Sequence, residues 1–106
     1  GTRMSRAVVH NEVVYLAGTT GTAYDSVAEQ TEEILSKIDG LLSDSGSDKS
    51  KLLRAEIWLD DMRSFDEMNA VWDEWIPEGC APTRACGSAT LGRTGVWVEI
   101  IITAAL

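Results

Sequence analysis

The stretch SVAEQTEEILSKIDGLL, residues 26–42, decides the fold. Val27, Thr31, Ile34, Leu35, Ile38, Leu41 and Leu42 recur at helical spacing and define one apolar face. Ser26 with Glu29 three positions on is a capping box at its start. Gly46, within Ser43-Asp44-Ser45-Gly46-Ser47, is a positive-φ terminator at its end. Before this helix, residues 6–10 read as a short strand, Asn11-Glu12 as a two-residue turn of open type, and residues 13–17 as a second strand. Gly18-Thr19-Thr20-Gly21-Thr22 reads as a loop. After it, residues 52–59 alternate, with Leu53, Ala55, Ile57 and Leu59 facing one way and Arg54, Glu56 and Trp58 the other. Ser64-Phe65-Asp66-Glu67 repeats the capping box. It opens a helix whose apolar face is Phe65, Met68, Val71, Trp72 and Trp75, and Pro77 stops it. Residues 83–91 and 96–105 form a final strand pair joined through Gly92-Arg93-Thr94-Gly95. The order is ββαβαββ. It predicts an α+β domain in which two helices cover one face of a mainly antiparallel sheet.

The chain has 106 residues, 44% of them hydrophobic and 25% charged, which fits one folded domain over residues 1–106. Seventeen acidic against nine basic residues give a net charge of −8. That balance disfavours nucleic-acid binding, which draws on clustered basic residues, and disfavours an anionic membrane surface. No apolar run approaches the ~20 residues that cross a bilayer, and no signal-peptide core follows the basic N-terminus. Two cysteines, Cys80 and Cys86, are too few for a disulfide scaffold, so a reduced, cytoplasmic setting is expected. One histidine, His10, and no spaced Cys/His cluster predict no metal site.

The sheet face away from the helices needs a partner. It is expected to carry Arg54, Glu56 and Trp58; Arg84, Cys86 and Ser88; and Trp97, Glu99, Ile101 and Thr103. This set is too apolar for a wet surface and too charged for a core. A homo-oligomer that shields it is expected, most simply a three-fold ring.

Four side chains could carry chemistry. Arg84, just after Pro82-Thr83, offers a planar fork that suits a carboxylate. On spacing alone the commoner reading is a structural arginine in a salt bridge to one of the many acids, Glu99 or Glu56 for instance. Glu99, inside the apolar run 96–102, is costly to bury unless paired or protonated. It reads either as an acid/base or water-orienting group or as an ion-pair partner of Arg84. Cys86 fits a buried, inert thiol better than a nucleophile, because His10 is remote in sequence. Asn69 interrupts the apolar face of the second helix. It either ties down the loop before Arg84 or touches a ligand there. Trp58 and Trp97 are expected at an interface or pocket.

The sequence resembles the Rid family, the reactive intermediate deaminases, also called YjgF-like and formerly described as endoribonucleases. The matching stretches are residues 13–18, Gln30-Thr31 through residues 38–42, residues 65–72, Pro82-Thr83-Arg84-Ala85-Cys86, and Val98-Glu99-Ile100. The resemblance implies a chorismate-mutase-like fold and a homotrimer with three clefts between subunits. It implies hydrolysis of enamine or imine intermediates, such as 2-aminoacrylate or 2-iminobutyrate, to 2-oxo acids and ammonia without a cofactor. In that scheme Arg84 holds the substrate carboxylate and backbone around Cys86 contacts the imine nitrogen. Glu99 orients or deprotonates the water, and Asn69, Ala17 and Gly18 lie at the site. The chain departs from the family in two places. Active deaminases bring a tyrosine to the cleft on a longer N-terminal segment, which Tyr15 does not match and Tyr24 could replace. Ala17 stands where a serine is common.

Three functions follow. The first is an imine deaminase. The second is a trimer that binds small carboxylates without turning them over. The third, an endoribonuclease, is disfavoured by the acidic balance and the lone histidine.

Overall fold

A computed structural model describes residues 2–106. Strands β1 (Ala7–His10) and β2 (Val13–Leu16) form a hairpin. Its turn residues Asn11 and Glu12 both take positive φ, 51° and 64°. This is the twist-matched geometry for a two-residue connection, adopted even though glutamate is a poor residue for it. The loop expected at residues 18–22 contains a two-residue strand, β3 (Thr19–Thr20), which pairs with Ile100 and Glu99. Two threonines are too short a run for periodicity to register.

Helix α1 (Val27–Asp44) has the reciprocal Ser26/Glu29 capping box, and Gly46 follows it at φ 85°. Ile34, Leu35, Ile38 and Leu42 lie fully in the core. β4 (Leu52–Leu59) leads to α2 (Phe65–Trp75), then to β5 (Thr83–Ser88) and β6 (Val98–Ala105). At α2 the expected second capping box does not form, because Ser64 makes no side-chain cap. The Glu67 carboxylate instead accepts from the Ala28 N–H at 2.8 Å, one of the N–H groups that the first turn of α1 leaves unpaired. Glu67 therefore ties the two helices together.

The sheet order is β1-β2-β6-β4-β5, with β3 also on β6. The last two strands are not a pair: β4 lies between them, antiparallel to β6 and parallel to β5. Ala55, Ile57 and Leu59 of β4 and Val98, Ile100 and Ile102 of β6 pack under the helices. Leu53 was expected among them. A bulge between Leu52 and Arg54 shifts the phase, so Leu52 is buried and Leu53 exposed.

The register also corrects the face expected for β5. Arg84 and Cys86 sit opposite Ala55 and Ile57, and Ser88 opposite Leu59, so all three share the helix-covered side. Residues 83–88, Thr-Arg-Ala-Cys-Gly-Ser, contain no apolar alternation from which the phase could be read. The open face carries Arg54, Glu56, Trp58, Ala85, Glu99, Ile101 and Thr103, with Tyr15 and Val8 from the hairpin. Tyr15 is 48% exposed there and Trp58 37%.

Candidate functional site

Arg84 emerges from edge strand β5 against the flank of α2. Its Nη1 donates to Asn69 Oδ1 at 2.7 Å. Its guanidinium carbon lies 5.8 Å from the Phe65 ring centroid and 5.5 Å from that of Trp72. Phe65, Asn69 and Trp72 fall at positions i, i+4 and i+7 of α2, a single stripe, so one helix supplies the aromatic flank and the amide. Ring faces favour the cation, and the amide orients it without cancelling its charge. Among the described residues the ion pairs are Lys37–Glu33, Arg54–Glu56 and Arg63–Asp61, and Arg84 is in none of them. Glu56 and Glu99 are on the opposite face, which removes the structural salt bridge as the reason for Arg84. A crevice of about 330 Å³ opens beside the guanidinium, lined by Asn69, Trp72, Asp73, Ala81, Pro82 and Arg84. Arg84 is thus held at one corner, half-buried, beside space that could accept an anion.

Cys86 lies one step along the same strand, partly packed on the core. Burial pushes its thiol pKa up, and the nearby Arg84 charge pulls the other way more weakly. A raised pKa keeps the sulfur protonated near neutrality, the opposite of an activated nucleophile.

Glu99 forms a separate group. On β6 it faces Trp58 of β4 on one side and Thr20 of β3 on the other. Gly18 lies so close that an added Cβ would come within 2.7 Å of Glu99 Oε2. Glycine at 18 is therefore what makes room for the carboxylate, and Ala17 precedes it, held by its N–H to Arg6 O at 2.9 Å. The Glu99 carboxylate accepts from no side chain among the described residues. The sequence expectation of one cluster thus resolves into two. Arg84, Cys86 and Asn69 are together, with Phe65 and Trp72 as unforeseen members. Glu99, Ala17 and Gly18 are together on the other side of the sheet.

A second concavity of about 370 Å³, lined by Arg54, Glu56, Trp58, Ala85, Cys86 and Gly87, lies on the open face between β4 and β5. The Trp58 ring spreads over Gly87, where a Cβ would meet it at 3.2 Å. Among the described residues no group of three or more His, Cys, Asp or Glu side chains is arranged to hold a metal ion. No helix among them is long and apolar enough to cross a membrane.

The family model described as Endoribonuclease L-PSP matches residues 2–106. A RutC family protein of Haemophilus ducreyi is 41% identical over 105 residues, 98% of this chain and 90% of that protein. A crystal structure of a YjgF-family protein from Neisseria meningitidis superposes with a TM-score of 0.96 at 44% identity, covering 99% of this chain and 88% of that one. A more distant relative in Arabidopsis thaliana is named Reactive Intermediate Deaminase A, chloroplastic. It is 31% identical over 88 residues, which are 76% of this chain and 46% of that protein.

Proposed function

The chain belongs to the endoribonuclease L-PSP family, the YjgF-like or Rid group, and from that premise we propose that it hydrolyses small 2-imino acids to 2-oxo acids and ammonia. The observation that carries this reading is Arg84: a half-buried guanidinium flanked by two rings, bound to a neutral amide, and paired with no acid among the described residues. Such a group selects a carboxylate, since charge-assisted bonds to a planar anion use its remaining N–H donors. Glu99 supplies the second requirement, a carboxylate that can take a proton from water.

Within one chain these two groups lie on opposite faces of the sheet and two strands apart. A site that uses both takes Arg84 from one copy and Glu99 from another. A homotrimer with a cleft at each of its three subunit contacts meets that need, and it covers the open face with Tyr15 and Trp58.

In such a cleft the chemistry is undemanding. Arg84 fixes the substrate carboxylate, placing the adjacent C=N carbon beside a water. Glu99 accepts a proton as the water oxygen bonds to that carbon, and the π electrons move to nitrogen. Nitrogen takes that proton back from Glu99, giving the neutral tetrahedral carbinolamine, which then collapses: its hydroxyl proton passes to the nitrogen, the C=O forms as the C–N bond breaks, and ammonia leaves. One imine and one water become one 2-oxo acid and one ammonia. Main-chain groups of β5 around Cys86 lie beside the nitrogen; as an edge strand, β5 has backbone groups that no neighbour pairs.

The test is ammonia and 2-oxobutyrate release from 2-iminobutyrate generated in situ by a dehydratase. Wild-type protein accelerates it and Arg84→Ala does not; equal rates for both refute the assignment. One observation favours a second reading. The Arg84 crevice is lined by residues of one chain, so the protein could bind small carboxylates without turning them over. Calorimetric binding of 2-oxobutyrate together with no rate enhancement would establish that alternative.

A further inference from the structure

The surroundings of Glu99 are more aromatic than the hydrolysis of a three- or four-carbon imine needs. Trp58 stands directly across from it in the β4–β6 register. Trp97 precedes it by two residues, where the pairing with β4 continues one step beyond β6 through the Asp60 N–H donating to Trp97 O at 3.0 Å, and its ring also packs partly on the core. Tyr24 meets Trp97 edge-on, with ring centroids 6.0 Å apart at 85°.

Tyr24 is the unusual member. It has φ 69°, a left-handed conformation that a tyrosine adopts only at a cost, yet its side chain is 70% exposed. Burial does not repay that cost. The backbone beneath the ring is nonetheless braced. The ring rests on Gly95, where an added Cβ would come within 2.8 Å of it, and the Tyr24 N–H donates to Gly95 O at 2.8 Å. Below it Gln30, fully buried, uses both ends of its amide. Nε2 donates to Gly95 O at 2.9 Å and Asp25 O at 3.0 Å, and Oε1 accepts from Trp97 N at 2.8 Å. The loops carrying Tyr24 and Trp97 are thereby clamped to α1 and to each other. An exposed ring in a strained backbone, braced from beneath, is arranged to meet something outside the protomer.

We propose that Tyr24, Trp97 and Trp58 form a preorganised aromatic wall around Glu99 that selects 2-imino acids with a bulky apolar or aromatic side chain over those of alanine or 2-aminobutyrate size. This rests on the imine-hydrolase reading of the same site and adds its substrate class. A flat side chain lying against these rings gains contact area that a methyl or ethyl group does not reach. Because the wall is rigid beforehand, little is lost in ordering it.

The experiment compares imines released in situ by an amino-acid oxidase from phenylalanine and from 2-aminobutyrate. The wild type should favour the phenyl substrate by about 10-fold or more in kcat/KM. Tyr24→Gly, which removes the ring and relieves the backbone, should lower that ratio about 10-fold. A role confined to holding the loops would slow both substrates alike and leave the ratio unchanged. An unchanged ratio, or a wild-type preference for the smaller imine, overturns the proposal. Should no imine be hydrolysed at all, the deaminase reading falls separately, and calorimetry with 3-phenyl-2-oxopropanoate and 2-oxobutyrate decides the wall. Tighter binding of the former, lost in Tyr24→Gly, supports it; equal affinities overturn it.

Discussion

At the scale of single residues, the partner of Arg84 matters as much as the arginine. Asn69 is neutral, so it aims the guanidinium and leaves its charge for a ligand. Asn69→Asp should install the internal acid that the wild type lacks. KM for a 2-oxo or 2-imino acid should then rise about 10-fold or more, measured by steady-state kinetics or calorimetry. Cys86→Ser should retain most of the activity, because a thiol whose pKa is raised by burial is not the attacking group. The same shift has a stability consequence. The folded state holds the Cys86 proton at pH values where the unfolded chain has lost it, so stability falls as pH rises above the ordinary thiol value. Cys86→Ser should remove that alkaline component in urea titrations at pH 7 and pH 10. The identities of Arg84, Glu99 and Asn69 as the residues to watch were legible from residue chemistry. Which face Arg84 occupies was not, since Thr83–Ser88 lacks an apolar rhythm and only pairing with Ala55 and Ile57 sets its phase.

At the scale of elements, both helices were readable because Ile34, Leu35, Ile38 and Leu42, and Met68 with Trp72, repeat at the period of a turn. Their connections were harder. Glu67 looks like a local cap in sequence and serves α1 instead, a bond 39 residues long that spacing cannot reveal. Gln30 likewise reads as one more polar residue in a helix, although burial makes its amide the clamp between two loops. Another anchor is Glu33, whose carboxylate accepts from Thr22 N–H at 2.9 Å and hydroxyl at 2.8 Å and pairs with Lys37 at 2.9 Å. The Lys37 ammonium and then the Thr22 hydroxyl and N–H hold its pKa down at about 2, against an ordinary 4.5. Stability from this carboxylate is present above pH 4.5 and is lost as pH falls toward about 2. Glu33→Gln should be less stable than wild type at pH 7 and should show a shallower decline over that acid window, followed by circular dichroism.

At the scale of the whole molecule, the described residues leave one face of the sheet without a covering layer. Tyr15, Val8 and Trp58 are exposed there beside Ile101. The excess of apolar residues on that face was visible in the alternation of β4 and β6. The central position of β6 was not, because the chain order places β5 next to it and only the parallel β4–β5 pairing separates them. The consequence is functional: the arginine and the glutamate look away from each other in one protomer, and assembly is what would bring them together. Mixing two inactive variants tests this directly. Arg84→Ala and Glu99→Gln proteins are each purified, unfolded together in equal amounts and refolded. If every cleft joins Arg84 of one subunit to Glu99 of its neighbour, random three-fold assembly leaves about one cleft in four with both groups intact. Ammonia release should then recover to about a quarter of the wild-type rate. A mixture no more active than the sum of its parents, alongside an active refolded wild type, would mean that the two groups do not meet across a subunit boundary.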